Sequence, residues 1–176
     1  MKIIIKTFCL LAFSFAFNLA QAQLKIGDQA PNFALNDSRG KAFELTDYLG
    51  KIIVLEWTNH QCPFVKKHYK TDNMQETQAH ITAEGGVWVS IISSAPGKQG
   101  HLGPKRANII FDRAGSKADF LILDETGEIG RDYGAKTTPH MFIIDRAGNI
   151  AYQGAIDSIS SASKDVVEKA SNYVKQ

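Results

Sequence analysis

Cysteine is nearly absent from this sequence: Cys9 and Cys62 are the only two. Cys9 falls inside Met1 to Ala22, a stretch with the layout of a secretory signal peptide. Lys2 and Lys6 give it a basic start, Phe8 to Phe17 an apolar centre, and Ala20-Gln21-Ala22 a small-x-small cleavage site. Removal of that segment, residues 1–22, is expected to start the mature chain at Gln23 and to deliver it to the periplasm or outside the cell. Cys62 would then stand alone in an oxidising compartment. A single cysteine excludes an intramolecular disulfide. It is either a small buried residue or a free thiol with a task.

Excess charge is missing as well. Lys2 and Lys6 account for the whole formal +2, and the mature chain carries 18 basic against 18 acidic residues. A chain so balanced has no electrostatic case for nucleic acid or an anionic membrane as partner. Long apolar runs are also lacking. Phe8 to Phe17 is too short for a comfortable bilayer crossing, and no membrane span is expected in the mature chain. There is no internal repeat, low-complexity segment or second core, so residues 23–176 read as one domain.

What is present centres on Lys51 to Tyr69. Ile52 to Leu55 is a continuous apolar run rich in β-branched residues, the pattern of a strand buried on both faces. After Glu56-Trp57 comes a polar loop, Thr58 to Gln61, and then Cys62 directly before Pro63. Proline is favoured at the first position of a helix, so Cys62 is the expected N-cap. Free backbone N–H groups and the positive end of the helix dipole there stabilise a thiolate. Lys66, Lys67 and Lys70 crowd the first two turns, where cations slightly disfavour the helix itself. Their placement suggests a helix tuned for an anion.

The rest of the chain reads as an alternation of elements. A β-hairpin is expected around the Asn36 to Gly40 turn, and a helical turn over Thr46 to Tyr48. The helix from Pro63 should run to about Glu84, with Phe64, Val65, Tyr69, Met74, Ala79 and Ile81 inward and a kink or break at Thr71-Asp72-Asn73. A buried strand follows at Val87 to Ile92, then a glycine-rich loop, Ser93 to Gly103, which can close over the Cys62 loop. Further elements are a helix from Pro104 to about Ala114, a strand at Phe120 to Leu123 and a short helix from Glu125 to Tyr133. A hairpin turning at Asp145 to Gly148 comes next, and a last helix from about Ser161 to Tyr173. The order predicts an α/β domain: a mixed central sheet with helices on both faces.

Several pieces then fall into a known order: Ala30-Pro31-Asn32-Phe33-Ala34-Leu35, Gly40-Lys41, Tyr48 to Lys51, Trp57, Cys62-Pro63, Tyr133 to Pro139 and Ile144 to Gly148. Through them the chain resembles the thioredoxin-fold superfamily. It is most similar to the alkyl hydroperoxide reductase/thiol-specific antioxidant branch, the redoxin or peroxiredoxin-like proteins. The resemblance implies a thioredoxin-like fold, no cofactor, and a cis Thr138–Pro139 bond beside the reactive cysteine, with the Thr138 backbone free to pair with a thiol-bearing substrate. Two departures matter. Family members that exchange disulfides carry Cys-x-x-Cys, and here Val65 holds the second position. Peroxiredoxins carry Pro-x-x-x-Thr-x-x-Cys, whereas Asn59 stands three before Cys62 and no proline precedes it.

The expected chemistry is therefore that of a monothiol. Cys62 attacks a disulfide-bearing protein or a small peroxide, and an external thiol reductant restores it. Lys66 and Lys67 would lend positive potential. Glu56, His60 or His140 would move protons or stabilise the thiolate, and Thr138 and Pro139 would shape the substrate face. Two other readings use the same residues: a copper or zinc site from Cys62, His60 and His140, and a non-catalytic module that binds a partner through the Cys62/Pro139 surface.

Overall fold

The computed structural model describes residues 24–176; the expected leader and its cleavage site lie outside the described residues. Strand β3 (Ile53–Trp57) is buried at every position and lies at the centre of a five-stranded sheet. It runs parallel to β4 (Val87–Ile92), which runs parallel to β5 (Phe120–Leu123). On its other side β3 pairs antiparallel with β6 (His140–Ile144), which turns through Asp145–Gly148 into β7 (Ile150–Gly154). The spatial order is β5-β4-β3-β6-β7. A separate two-stranded hairpin, β1 (Ala34–Asn36) with β2 (Ala42–Glu44), leads into a 3-10 turn, Leu45–Tyr48.

Strand pleating sorts β3 into two faces. Ile53, Leu55 and Trp57 join Phe43, Leu45, Tyr133 and Phe142 in a large apolar cluster under the hairpin and the short helix α4 (Glu128–Asp132). Val54 points the other way, into a cluster with Met74, Ile81, Trp88 and Met141. That second face carries helices α1 (Pro63–Lys70), α2 (Asn73–Ala83) and α3 (Pro104–Arg113). Helices thus cover both sides of the sheet, as the element order predicts.

The break allowed for at Thr71-Asp72-Asn73 is present: Asp72 adopts a left-handed conformation, φ 59°, and splits α1 from α2. Aspartate is one of the few side chains that tolerates this region. The expected apolar face changes. Phe64 and Ala79 are exposed, and α2 turns Gln75, Thr77 and Gln78 inward. Each meets polar partners there: Gln75 Nε2 donates to the carbonyls of Tyr69 and Ala114, at 2.8 and 2.7 Å, and Gln78 Oε1 accepts from Lys117 N at 2.7 Å.

The last helix is replaced by a short exposed 3-10 stretch, Lys164–Lys169. The chain beyond it is drawn out by better partners. Tyr173 N donates to Ile156 O and Ser158 N to Ser171 O. Asn172 donates to Thr77 at 2.7 Å, and Val174 is buried in the cluster with Met74. A continuous helix would forfeit all of these.

Candidate active site

The carboxyl ends of β3 and β4 open one edge of the sheet, where open α/β sheets hold ligands. Cys62 stands at that edge as the N-cap of α1, with Pro63 at the first helical position. Asn59 shapes the approach: its carbonyl accepts from Cys62 N and its side-chain Oδ1 from Gln61 N, each at 2.9 Å. The glycine-rich loop crosses here. Gly100 has φ +86°, and a Cβ on it would lie 2.6 Å from the Asn59 side chain, so the loop comes this close only because residue 100 is glycine.

The Cys62 thiol is half-buried and donates to the Thr138 carbonyl at 3.1 Å. The Thr138–Pro139 bond is cis. The thiol, the start of α1 and this turn therefore meet, and grooves flank the turn on both sides. One, of about 310 Å3, runs past Phe64, Pro139 and Ile159. The other, of about 250 Å3, lies between Trp57, Asn59, Ser93 and Lys136. The position one turn along the helix is held by Val65, buried at 2 % exposure, and not by a second thiol.

The other expected site residues are placed less simply. Lys66 is exposed on α1, and its charge bears on His60. Lys67 does not serve the thiol. It is buried, its Nζ donating to Asp157 Oδ2 at 2.7 Å and to Ile159 O at 3.3 Å, and His68 Nε2 lies 3.7 Å from the same carboxylate. A buried ammonium needs such a partner. Its charge is committed to holding the C-terminal segment against α1.

His60 is half-buried, and its Nδ1 has no hydrogen-bond partner among the described residues. Burial lowers its pKa, assisted by the charges of Arg106 and Lys66. His140 lies opposite Trp57 on β6. Its ring is 4.6 Å from that of Phe142, and its Nδ1 accepts from Lys136 N at 3.4 Å. Burial lowers its pKa too, with Lys136 contributing. Both imidazoles are neutral at pH 7 and bring no net positive charge to the thiol. Among the described residues no three His, Cys, Asp or Glu side chains are grouped to hold a metal, so Cys62, His60 and His140 are not assembled into a copper or zinc centre.

Glu56 is fully buried on the helix-bearing face of β3. Its Oε2 accepts from Ser90 Oγ at 2.8 Å, Trp88 Nε1 at 3.0 Å and Gln78 Nε2 at 3.3 Å; its Oε1 accepts from Tyr69 OH at 3.2 Å. Burial raises its pKa, against the opposing pull of these donors. Among the described residues Cys62 is not one of its partners. Glu56 organises the layer between sheet and helices directly, and reaches the thiol only through α1, by way of Tyr69.

Sequence reasoning alone does not find Asp157, Arg106 or the four donors around Glu56. They come from distant segments and carry no local motif. Gly100 was legible only as part of a glycine-rich loop.

A family model described as the AhpC/TSA family matches residues 26–153. The chain is 28 % identical over 133 residues to the thiol-disulfide oxidoreductase ResA of Bacillus thuringiensis subsp. konkukian, covering 74 % of this chain and 69 % of that protein. In structure it is similar to an uncharacterized conserved protein from Geobacillus kaustophilus, with a TM-score of 0.71, 26 % identity and coverage of 78 % and 72 % of the two chains. It is also similar to a putative thiol:disulfide interchange protein DsbE from Chlorobium tepidum, with a TM-score of 0.62, 27 % identity and coverage of 84 % and 95 %.

Proposed function

The chain belongs to the AhpC/TSA family, and from that premise we propose that it is an exported thiol–disulfide oxidoreductase that works with one thiol, Cys62. The observation that carries this reading is the 3.1 Å contact between Cys62 Sγ and the Thr138 carbonyl, with the sulfur at a helix N-cap. The names of the similar proteins favour disulfide over peroxide chemistry.

The thiol first gives up its proton, which the neutral imidazole of His60 or a water accepts. The thiolate attacks one sulfur of a substrate disulfide in line with the S–S bond. A Cys62–substrate disulfide forms, and the second substrate sulfur leaves as a thiolate that takes up a proton. The substrate backbone lies along the Thr138–Pro139 turn and fills the flanking grooves. Val65 offers no internal attack, so one external thiol attacks the Cys62 sulfur of the mixed disulfide, releasing reduced substrate and joining itself to Cys62. A second attacks that thiol's sulfur, freeing Cys62 as the thiol and leaving as the disulfide of the two reductant molecules.

Export rests on the leader-like composition of residues 1–22. Among the described residues no helix is long and apolar enough to cross a membrane.

The test uses a peptide carrying a glutathionylated cysteine, with excess glutathione as reductant. The mature protein should turn the peptide over, with a Cys62-linked intermediate visible by mass spectrometry, and Cys62→Ser should lower the rate to background. Equal rates for the two proteins would overturn the reading.

A further inference from the structure

We propose that the cavity between α1, α2 and α3 is a binding site for a small aromatic carboxylate. The proposal goes beyond thiol exchange and does not depend on Cys62. The cavity is about 480 Å3, within the range of small-molecule sites. Tyr69, Ile110 and Phe111 wall it, with the Tyr69 and Phe111 rings edge to face at 6.0 Å. Such walls take an apolar body, an aromatic ring above all.

The rim supplies the charge preference. Lys66 and Lys70 from α1 and Arg113 from α3 all line the cavity. Among the described residues none of the three makes a salt bridge, although other cations of the chain do. Asp72 is the one acid among the lining residues, so the rim is net positive. Exposed cations hold an anion weakly one at a time. Three of them around an apolar recess favour a ligand whose body is buried and whose carboxylate stays at the mouth.

Gln75 is turned to the protein's own backbone. It lines the cavity and is 8 % exposed. Both hydrogen bonds of its Nε2 are used on backbone carbonyls, while its Oε1 is buried and accepts nothing. An acceptor so shielded offers nothing to a ligand, so the recess selects by apolar shape and its mouth by charge. Aromatic walls and a cationic mouth together describe an aryl carboxylate.

Titration calorimetry of the mature protein with 4-hydroxyphenylacetate tests this. One site should bind it. Tyramine, with the same ring and hydroxyl but an ammonium in place of the carboxylate, should not bind. Combining Lys70→Gln with Arg113→Gln should weaken 4-hydroxyphenylacetate by about tenfold or more without shifting the melting point. Ile110→Trp should fill the recess and abolish binding. Cys62→Ser should bind as the unmodified protein does, which separates this outcome from the fate of the exchange reaction. No binding of 4-hydroxyphenylacetate, or equal binding of tyramine, would overturn the proposal whatever the variants do.

Discussion

Cys62 Sγ lies 3.1 Å from the carbonyl oxygen of Thr138, a residue 76 positions further along the chain. The contact joins the start of α1 to the turn before β6, and both are held by β3, the strand that pairs with β4 and β6. The thiol is thus presented by the rigid centre of the sheet, where positional precision is easiest to maintain.

Val65→Cys should supply the missing internal thiol. Val65 is buried on the same helix, three residues after Cys62. Its replacement should cost stability by about 1 kcal/mol through lost methyl packing. In return, the mixed disulfide should break from within, with no dependence on added thiol. Decay of the Cys62-linked intermediate, followed by mass spectrometry at varied glutathione, reads this out.

Glu56 has a raised pKa because it is buried. A carboxyl that binds its proton more tightly folded than unfolded loses stability as pH rises from the unfolded value, 4.5, towards the folded one. Glu56→Gln keeps the shape and removes the titration, so its stability relative to the unmodified protein should improve with rising pH. Glu56→Ala should be far worse. It leaves the Trp88 indole N–H, a pure donor, without an acceptor, along with the Ser90 and Tyr69 hydroxyls, while Gln78 keeps Tyr69 OH, at a cost of about 3 kcal/mol or more. Urea unfolding midpoints measured from about pH 4 to about pH 8 distinguish the two.

Lys67 and Asp157 form a buried ion pair at 2.7 Å. Lys67→Met alone strands the carboxylate and should destabilise by about 3–5 kcal/mol. The double change with Asp157→Leu should recover much of that loss. A double-mutant cycle in urea measures the coupling.

His68 touches the same carboxylate, and its pKa is lowered to about 4, first by burial and then by the Lys67 charge, with Asp157 opposing. The unfolded imidazole takes its proton near 6.5, so between those values the unfolded chain binds a proton that the folded chain refuses. Stability should therefore fall as pH falls through that window, by up to about 3 kcal/mol. His68→Gln should flatten the slope there. An unchanged slope would show that the acid sensitivity arises elsewhere.

Gly100→Ala should act on the site without touching it. The positive φ penalises any side chain by about 1–2 kcal/mol, and the new Cβ would strike Asn59. The loop carrying Cys62 should shift, and the exchange rate should fall while the thiol remains titratable by a small reagent.

Much of this arrangement was legible in the sequence because it is written in neighbours. The run Ile53–Leu55, the Cys62-Pro63 step and the glycine stops fix strand, cap and helix locally. The family order of short pieces brings Pro139 to Cys62. What the sequence hides depends on distant partners. Lys67 reads as one of three lysines on a solvated helix face, and only the fold brings Asp157 to it. Glu56 reads as a carboxylate at a strand end beside a cysteine; the structure surrounds it with donors from β4, α1 and α2. The C-terminal helix fails because Asn172 and Val174 find partners on α2, a competition that local propensity does not register.

The most direct test compares Cys62 with itself. The second-order rate constant for its reaction with glutathione disulfide at neutral pH is measured in the folded protein and in the urea-unfolded chain, with the adduct located by mass spectrometry. An activated, accessible thiol at a helix N-cap should react about tenfold faster folded than unfolded. A folded thiol that reacts no faster, or more slowly, would contradict the account and leave Cys62 a cysteine without chemistry.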